Sequence, residues 1–278
     1  MQDLYARQQL VTSLRNIQNI KHVNIIGCGG IGSHVAIRLA MLGIKSFTLA
    51  DYDTVEFHNL SRTFFEDGDV GKNKAMALQD ILRRKRTFNS NTILKDLMEK
   101  RSFEVKNLLD AKAFLENEDI ETILNVADSI EDNNITVRCV TKELEDEIHP
   151  NATGFKKENV LTVDCTDNYF SEEIIMTTPG LAETDWKLNY DNLDITITSN
   201  PYAKDEDGNF KLDLATLAAP EGGYTVTPSF FATPDIVTSL WVTFLSMYSH
   251  KIEETNQWHI NLLELLEHSF GNEYLIKY

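Results

Sequence analysis

Three glycines, Gly27, Gly29 and Gly32, are spaced Gly-x-Gly-x-x-Gly immediately after the apolar run Val23-Asn24-Ile25-Ile26 and open a segment with helical periodicity. Glycine lets backbone approach an anion closely, and the start of a helix presents free N–H groups at its positive end. Asp51 follows the next apolar run, Phe47-Thr48-Leu49-Ala50, about twenty residues later, where a carboxylate can accept hydrogen bonds from both hydroxyls of a ribose. This is the pattern of a nucleotide site, without saying which nucleotide. Asn59, Arg62 and Lys74 come next. A triphosphate carries several negative charges that need amide and cationic donors, whereas an NAD-dependent oxidoreductase leaves these three residues without a task. Taken singly, Asn59 also fits a turn cap, Arg62 a partner for a local acid and Lys74 a solvated helix residue. Those readings do not account for the spacing.

The elements that must position these residues can be outlined. Residues 3–18 have helical spacing, with Leu4, Leu10, Val11, Leu14 and Ile17. Residues 23–26 and 47–50 predict two strands around a helix carrying Val35, Leu39 and Leu42 on one face and ending at Gly43, a good C-terminal cap. Such a unit implies parallel strands with a right-handed crossover. A helix is expected over 72–86, with the basic end Arg83, Arg84, Lys85 and Arg86 complementing its dipole. Residues 87–133 are polar, charged and mostly helical in pattern, and carry no chemical motif. Residues 135–140, 160–164 and 194–198 predict further strands, and 203–224 a long loop with turn signals at Asp207-Gly208-Asn209 and Gly222-Gly223. Pro234 opens a buried helix whose apolar stretch runs from Ile236 to Met247. In the tail 256–268, Ile260, Leu263 and Leu266 share the spacing of one helical face. The fold class expected is α/β: a doubly wound, Rossmann-like, mostly parallel sheet with a helical insertion, holding nucleotide at the carboxyl ends of its strands.

The segment from Asp51 through Asp53, Val55, Asn59, Leu60 and Arg62, followed by Val70-Gly71-Lys72-Asn73-Lys74, resembles the ThiF/MoeB/HesA family, the bacterial relatives of ubiquitin-activating enzymes. Those proteins have a similar Asp-x-Asp-x-Val-x-x-x-Asn-Leu-x-Arg run and a Val-Gly-x-x-Lys run. Tyr5-Ala6-Arg7-Gln8 is similar to the family's Tyr-x-Arg-Gln, and Asp164-Cys165-Thr166-Asp167-Asn168 to its Asp-x-x-Asp-Asn. The resemblance covers residues 1–86 well, 132–170 fairly and 225–250 loosely, and implies a single ThiF-type domain over 1–278 with the insertion at about 87–133. It implies ATP and Mg2+ as cofactors. Gly27, Gly29 and Gly32 would shape the turn, Asp51 would bind ribose, and Asn59, Arg62 and Lys74 would contact phosphates. Asp167 would hold Mg2+ or orient the α-phosphate, and Arg7 would reach a partner's phosphates in trans across a homodimer. One short motif carries Arg7, so an ordinary surface arginine stays open there. The activity implied is adenylation of a carboxylate on a protein, peptide or small molecule, most simply the C-terminus of a small ubiquitin-fold protein. A non-catalytic ATP-binding or dimerisation module and an NAD-dependent oxidoreductase are the alternatives.

The chain departs from the family in informative places. No arginine follows Asn168 in Tyr169-Phe170-Ser171-Glu172-Glu173. The three cysteines, Cys28, Cys139 and Cys165, form no Cys-x-x-Cys pair, so zinc is not expected, and none follows Cys165 to serve as a crossover-loop nucleophile. His34 and His58 lie near the motifs and read as core or loop residues. Hydrophobic content of 42% and charged content of 25% over 278 residues suit an ordinary soluble domain with a sizeable core. A net charge of −17 repels phosphate backbones and argues against nucleic acid, while favouring a basic partner or simply solubility. The beginning of the chain has no apolar leader, and the apolar stretch at 236–247 is too short to span a bilayer, so a cytoplasmic protein with no membrane partner is expected.

Overall fold

The computed structural model describes residues 15–86, 134–141, 155–167, 174–176, 183–191, 193–212, 232–247 and 250–265. The insertion at 87–133, Arg7, Asn168, the acidic stretch at 143–147 and the second half of the 203–224 loop lie outside the described residues. After a helical turn, α1 (Arg15–Gln18), come β1 (His22–Ile26), α2 (Gly30–Met41), β2 (Ser46–Ala50), α3 (Lys74–Arg86), β3 (Thr136–Val140), β4 (Val160–Asp164), β5 (Trp186–Asp191), β6 (Asp194–Ser199), α4 (Thr233–Met247) and β7 (Asn256–Asn261).

Among the described residues seven strands form one sheet, in the order β3-β2-β1-β4-β5-β6-β7. The strands from β3 to β5 are parallel, and β6 and β7 add antiparallel partners. The chain moves outward from β1 to β3, then crosses back to place β4 on the other side of β1. That reversal leaves a crevice at the carboxyl ends of β1 and β4, where ligands of such sheets sit. The mixed α/β sheet agrees with the fold class expected from sequence. Helix α2 ends as its sequence implies: Leu42 N–H donates to the Arg38 carbonyl, and Gly43 takes φ +100°, a conformation that suits glycine.

Two features differ from the sequence reading. Residues 256–261 form β7, which pairs with β6 through Ile195 and Ile260, so the apolar spacing there follows a strand before it could serve a helix. Strand β5 has a clear period of two in Trp186, Leu188 and Tyr190, yet stands outside the strands expected from sequence.

Alternation gives the sheet two unlike faces. Val23, Ile25, Phe47, Leu49, Leu161, Val163, Trp186 and Leu188 join α2, α3 and α4 in one apolar core. Trp186 anchors its far end, edge-on to Trp241 at 6.3 Å and stacked on Trp258 at 6.0 Å. The opposite face carries His22, Asn24, Thr48 and Thr162, all buried and all hydrogen-bonded. His22 Nε2 lies 3.0 Å from Asn24 Oδ1 and its Nδ1 lies 2.8 Å from Ser46 Oγ. Asn24 turns its amide nitrogen to Thr162 Oγ1, which leaves Oδ1 as an acceptor only, so Nε2 bears the proton and Nδ1 accepts from Ser46.

His22 is thus seated as a neutral ring. Burial, helped by the Arg138 charge, lowers its pKa from 6.5 to about 4, against the opposing hydrogen bond to Asn24. Between these values the unfolded chain binds a proton that the folded one refuses, so stability falls as pH drops from 6.5 to about 4. The loss from this one group is expected to reach about 3 kcal/mol. Urea unfolding of the wild type and His22→Gln at pH 7 and pH ~4 checks it, with the variant expected to show the shallower pH dependence.

Candidate nucleotide site

The three motif glycines have three different physical reasons. Gly27 sits at φ +86°, and a Cβ there would stand 3.0 Å from the carbonyl carbon and oxygen of Cys165. A Cβ on Gly32 would stand 1.9 Å from the Gly27 oxygen, which no adjustment of a side chain relieves. At Gly29 a Cβ would meet nothing within 4 Å, so the backbone there faces open space. A fourth glycine, Gly30, lies beneath the Tyr190 hydroxyl at 3.1 Å, Pro234 Cγ at 3.5 Å and Arg62 Cδ at 3.8 Å, measured to the position of a Cβ.

The turn opens α2 without a cap. Gly29 offers no side chain, no acidic residue lies in the first turn, and the first intrahelical bond is Ser33 N–H to Gly29 O at 3.1 Å. The preceding N–H groups therefore sum with the helix dipole toward the crevice, which is what an anion requires.

Asp51 emerges from β2 and closes over this turn. One carboxylate oxygen accepts the Cys28 N–H at 2.7 Å, and the other accepts the Asp53 N–H at 2.9 Å. Burial raises its pKa above the ordinary value, while Lys74 and these two N–H groups hold the rise in check. Lys74 is brought to it by Asn73, which accepts the Met76 N–H at the start of α3 and donates to the carbonyls of Asp51 at 2.7 Å and Asp53 at 3.2 Å. The Lys74 amine lies 2.9 Å from Asp53, with its side chain only 14% exposed. Lys74 is therefore not a solvated helix residue. Burial works against its charge, but Asp51, Asp53 and Asp167 outweigh it and raise its pKa.

Asn59 is buried, and its Oδ1 accepts the Glu56 N–H at 3.0 Å, capping the short turn Phe57–Asn59. Arg62 follows from that turn. Its guanidinium donates to the His58 carbonyl at 3.2 Å, not to a local acid, and its chain passes beside Gly30. Asp167 is exposed just beyond β4, within the electrostatic reach of Lys74. The structure thus gathers Gly27, Gly29, Gly32, Asp51, Lys74 and Asp167 at the carboxyl ends of β1, β2 and β4, with Arg62 at Gly30.

Other candidates fall away from chemistry. His34 packs tilted against Phe64, with ring centroids 4.5 Å apart, and bonds Asp235 at 3.0 Å, and Arg38 also pairs with Asp235, so this trio docks α4 on α2. His58 pairs with Glu56 on the surface at 3.2 Å. Burial drives the Cys28 and Cys165 thiols well above their ordinary pKa, and that of Cys139 to about 11, which makes them poor nucleophiles. Among the described residues no three His, Cys, Asp or Glu side chains form a metal cluster, and no helix is long and apolar enough to cross a membrane.

Sequence reasoning assigned no role to Gly30, Asp53, Asn73, Lys187, Tyr190 or Tyr202. The alternation of β5 announces a strand bearing Lys187 and Tyr190, but their partners come from elements distant in the chain. The glycine geometry makes a direct prediction. Gly32→Ala is expected to destabilise the fold by about 3 kcal/mol or more through overpacking, while Gly29→Ala costs within about 1 kcal/mol. Thermal and urea unfolding of the two variants read the contrast.

The chain is similar to known proteins in sequence and in fold. The ThiF family model matches residues 5–144. The chain is 34% identical over 131 residues to ubiquitin-like modifier-activating enzyme 5 of Dictyostelium discoideum, covering 44% of this chain and 32% of that protein. It is 38% identical over 87 residues to ubiquitin-activating enzyme E1 1 of Arabidopsis thaliana, covering 29% of this chain and 8% of that one. These matches thus span a third or less of the relatives' own length. Among solved structures, E. coli MccB with ATP superimposes at a TM-score of 0.51 with 17% identity, covering 94% of this chain and 72% of that one. The microcin C7 biosynthetic enzyme MccB in complex with N-formylated MccA does so at 0.55 with 16% identity and the same coverage. Matched by the family model over half of its length, and built around the glycine turn, Asp51 and Lys74 in one crevice, the chain belongs to the ThiF family.

Proposed function

We propose that this protein binds ATP at the turn between β1 and α2 and adenylates a carboxylate. The observation that carries the reading is the uncapped amino end of α2, which meets Asp51, Lys74 and Asp167 at the point where strand order reverses. In this reading the ribose lies against Asp51, whose oxygens retain acceptor capacity beyond their two backbone bonds. The phosphates run along Gly29 and the free N–H groups of α2. Lys74 leaves Asp53 to meet them, and Arg62 turns its guanidinium from the His58 carbonyl toward the same charge. Asn59 contributes chiefly by holding the turn that presents Arg62.

A carboxylate oxygen of the acyl substrate attacks the α-phosphorus, the bond to the bridging oxygen of the β-phosphate breaks, and pyrophosphate leaves with that oxygen. No proton moves in this step, so the lack of a histidine–carboxylate dyad is no obstacle. Fixed donors aimed at the phosphates stabilise the charge that develops. Asp167 fits a magnesium ion that arrives with the nucleotide: it is an exposed hard oxygen donor beside the turn, and such ions are held by one or two carboxylates plus phosphates. Bound there, Mg2+ would supply neutralisation of phosphate charge.

The solved relatives support a peptide or protein as the acyl substrate, since MccB is described both with ATP and with MccA, and the sequence relatives activate ubiquitin-like proteins by name. We infer a homodimer in which Arg7 reaches the partner's phosphates, within a single domain.

Calorimetry with Mg-ATP and, separately, NAD tests the reading. Mg-ATP is expected to bind, NAD not to, and Asp51→Ala and Arg62→Ala are each expected to weaken ATP by about tenfold or more. ATP-pyrophosphate exchange dependent on a peptide with a free C-terminus would complete the case. Tight ATP binding with no exchange under any carboxylate would favour a non-catalytic module, and preference for NAD would end the adenylation reading.

A further inference from the structure

We propose that Lys187 and Tyr202 are positioning residues for Asp167, acting through Asp164; the inference rests on the reading that Asp167 meets the metal–nucleotide. Asp164 closes β4 and is wholly buried, as are Lys187 and Tyr202. Its Oδ1 accepts both the Thr166 N–H at 2.9 Å and the Thr166 hydroxyl at 2.7 Å. Its Oδ2 accepts the Lys187 amine at 2.9 Å and the Tyr202 hydroxyl. With four donors, its acceptor capacity is filled, so Asp164 is a support and not itself a ligand.

The direction of these bonds gives them their meaning. Lys187 also donates to the Thr166 carbonyl at 3.2 Å, the oxygen of the peptide group whose nitrogen belongs to Asp167. The peptide plane leading into Asp167 is therefore held by a buried amine, and the residue before it is held twice by Asp164. On its other side the turn lies against Gly27, where even a Cβ would come within 3.0 Å of Cys165. A buried Asp–Lys pair adds little stability over well-packed apolar groups, so aiming the Asp167 turn is a more specific use for it than holding the sheet. Both supports come from the side of the sheet beyond β4: Lys187 from β5 and Tyr202 just after β6.

The test is calorimetric titration of ATP with Mg2+ and with excess EDTA, on the wild type, Asp167→Asn, Tyr202→Phe, Lys187→Met and Asp164→Asn/Lys187→Met, with circular dichroism to establish folding. The double variant removes both buried charges together, and Tyr202→Phe removes one hydroxyl while keeping the ring. The expected result is that Asp167→Asn abolishes the gain in affinity due to Mg2+. Tyr202→Phe is expected to cut that gain by about fivefold, and Lys187→Met and the double variant by more. Affinity in EDTA should stay within about twofold, because the glycine turn is untouched. A role confined to stability would lower the melting temperature and leave the Mg2+ gain intact. Folded Tyr202→Phe and Lys187→Met proteins that keep the full gain, while Asp167→Asn loses it, would overturn this inference and leave the reading of the site standing. No Mg2+ gain in the wild type, or an undiminished gain in Asp167→Asn, would remove the reading itself and this inference with it. Should the lysine variants fail to fold, Tyr202→Phe decides alone.

Discussion

The backbone of the first glycine turn lies directly against the backbone of the turn after β4, with no room for a side chain between them. The Cys165 N–H donates to the Ile26 carbonyl at 2.7 Å, so the β1–β4 ladder runs on to the edge of the crevice and stops there. Everything else in the site is measured from this contact. Gly27 must be glycine both for its positive φ and for this proximity, and Gly32 must be glycine because the helix starts directly on the Gly27 oxygen. Replacing either by a larger residue would separate two elements whose nearness creates the site.

Electrostatics at the crevice run against the charge of the whole molecule. A net charge of −17 repels a triphosphate at long range. Long-range charge is screened within about 10 Å at ordinary salt, whereas N–H groups and an amine in contact with a ligand are not. Lys74 lies among Asp51, Asp53 and Asp167, so its proton is secure and its charge is available. The local carboxylates also leave the crevice short of positive charge, a balance that a ligand arriving with its own divalent ion would restore.

The sheet divides its work by face and by half. The apolar face, with α2, α3 and α4 against it, supplies the stability of the core. The polar face carries a chain of satisfied hydrogen bonds from His22 to Thr162, whose members stay buried only because each has a partner. The parallel half carries the glycine turn and Asp51. The last parallel strand, β5, supplies Lys187 to the turn after β4, and the segment after the antiparallel β6 supplies Tyr202 to Asp164, so elements with no motif of their own bear on that turn.

The chain alone determined the β-α-β unit, the fold class, the place of the glycine turn and the family, because these rest on local properties: periodicity, glycine spacing and the order of short motifs. It also separated Lys74 and Arg62 from a dinucleotide pattern by residue type. What lay beyond it was pairing across distance. Nothing local says that Asn73 will tie Lys74 to the backbone of Asp51 and Asp53, that Arg62 will bond a carbonyl in place of an acid, or that residues 256–261 will become an edge strand. The buried partners of Asp164, Lys187 and Tyr202, lie 23 and 38 positions away, and an amine in the middle of a strand reads as a solvent-facing residue until the sheet buries it. Tertiary structure decided these because burial turns a polar side chain from one solvated by water into one that must find a specific partner, and which partner it finds depends on which strands the fold sets side by side.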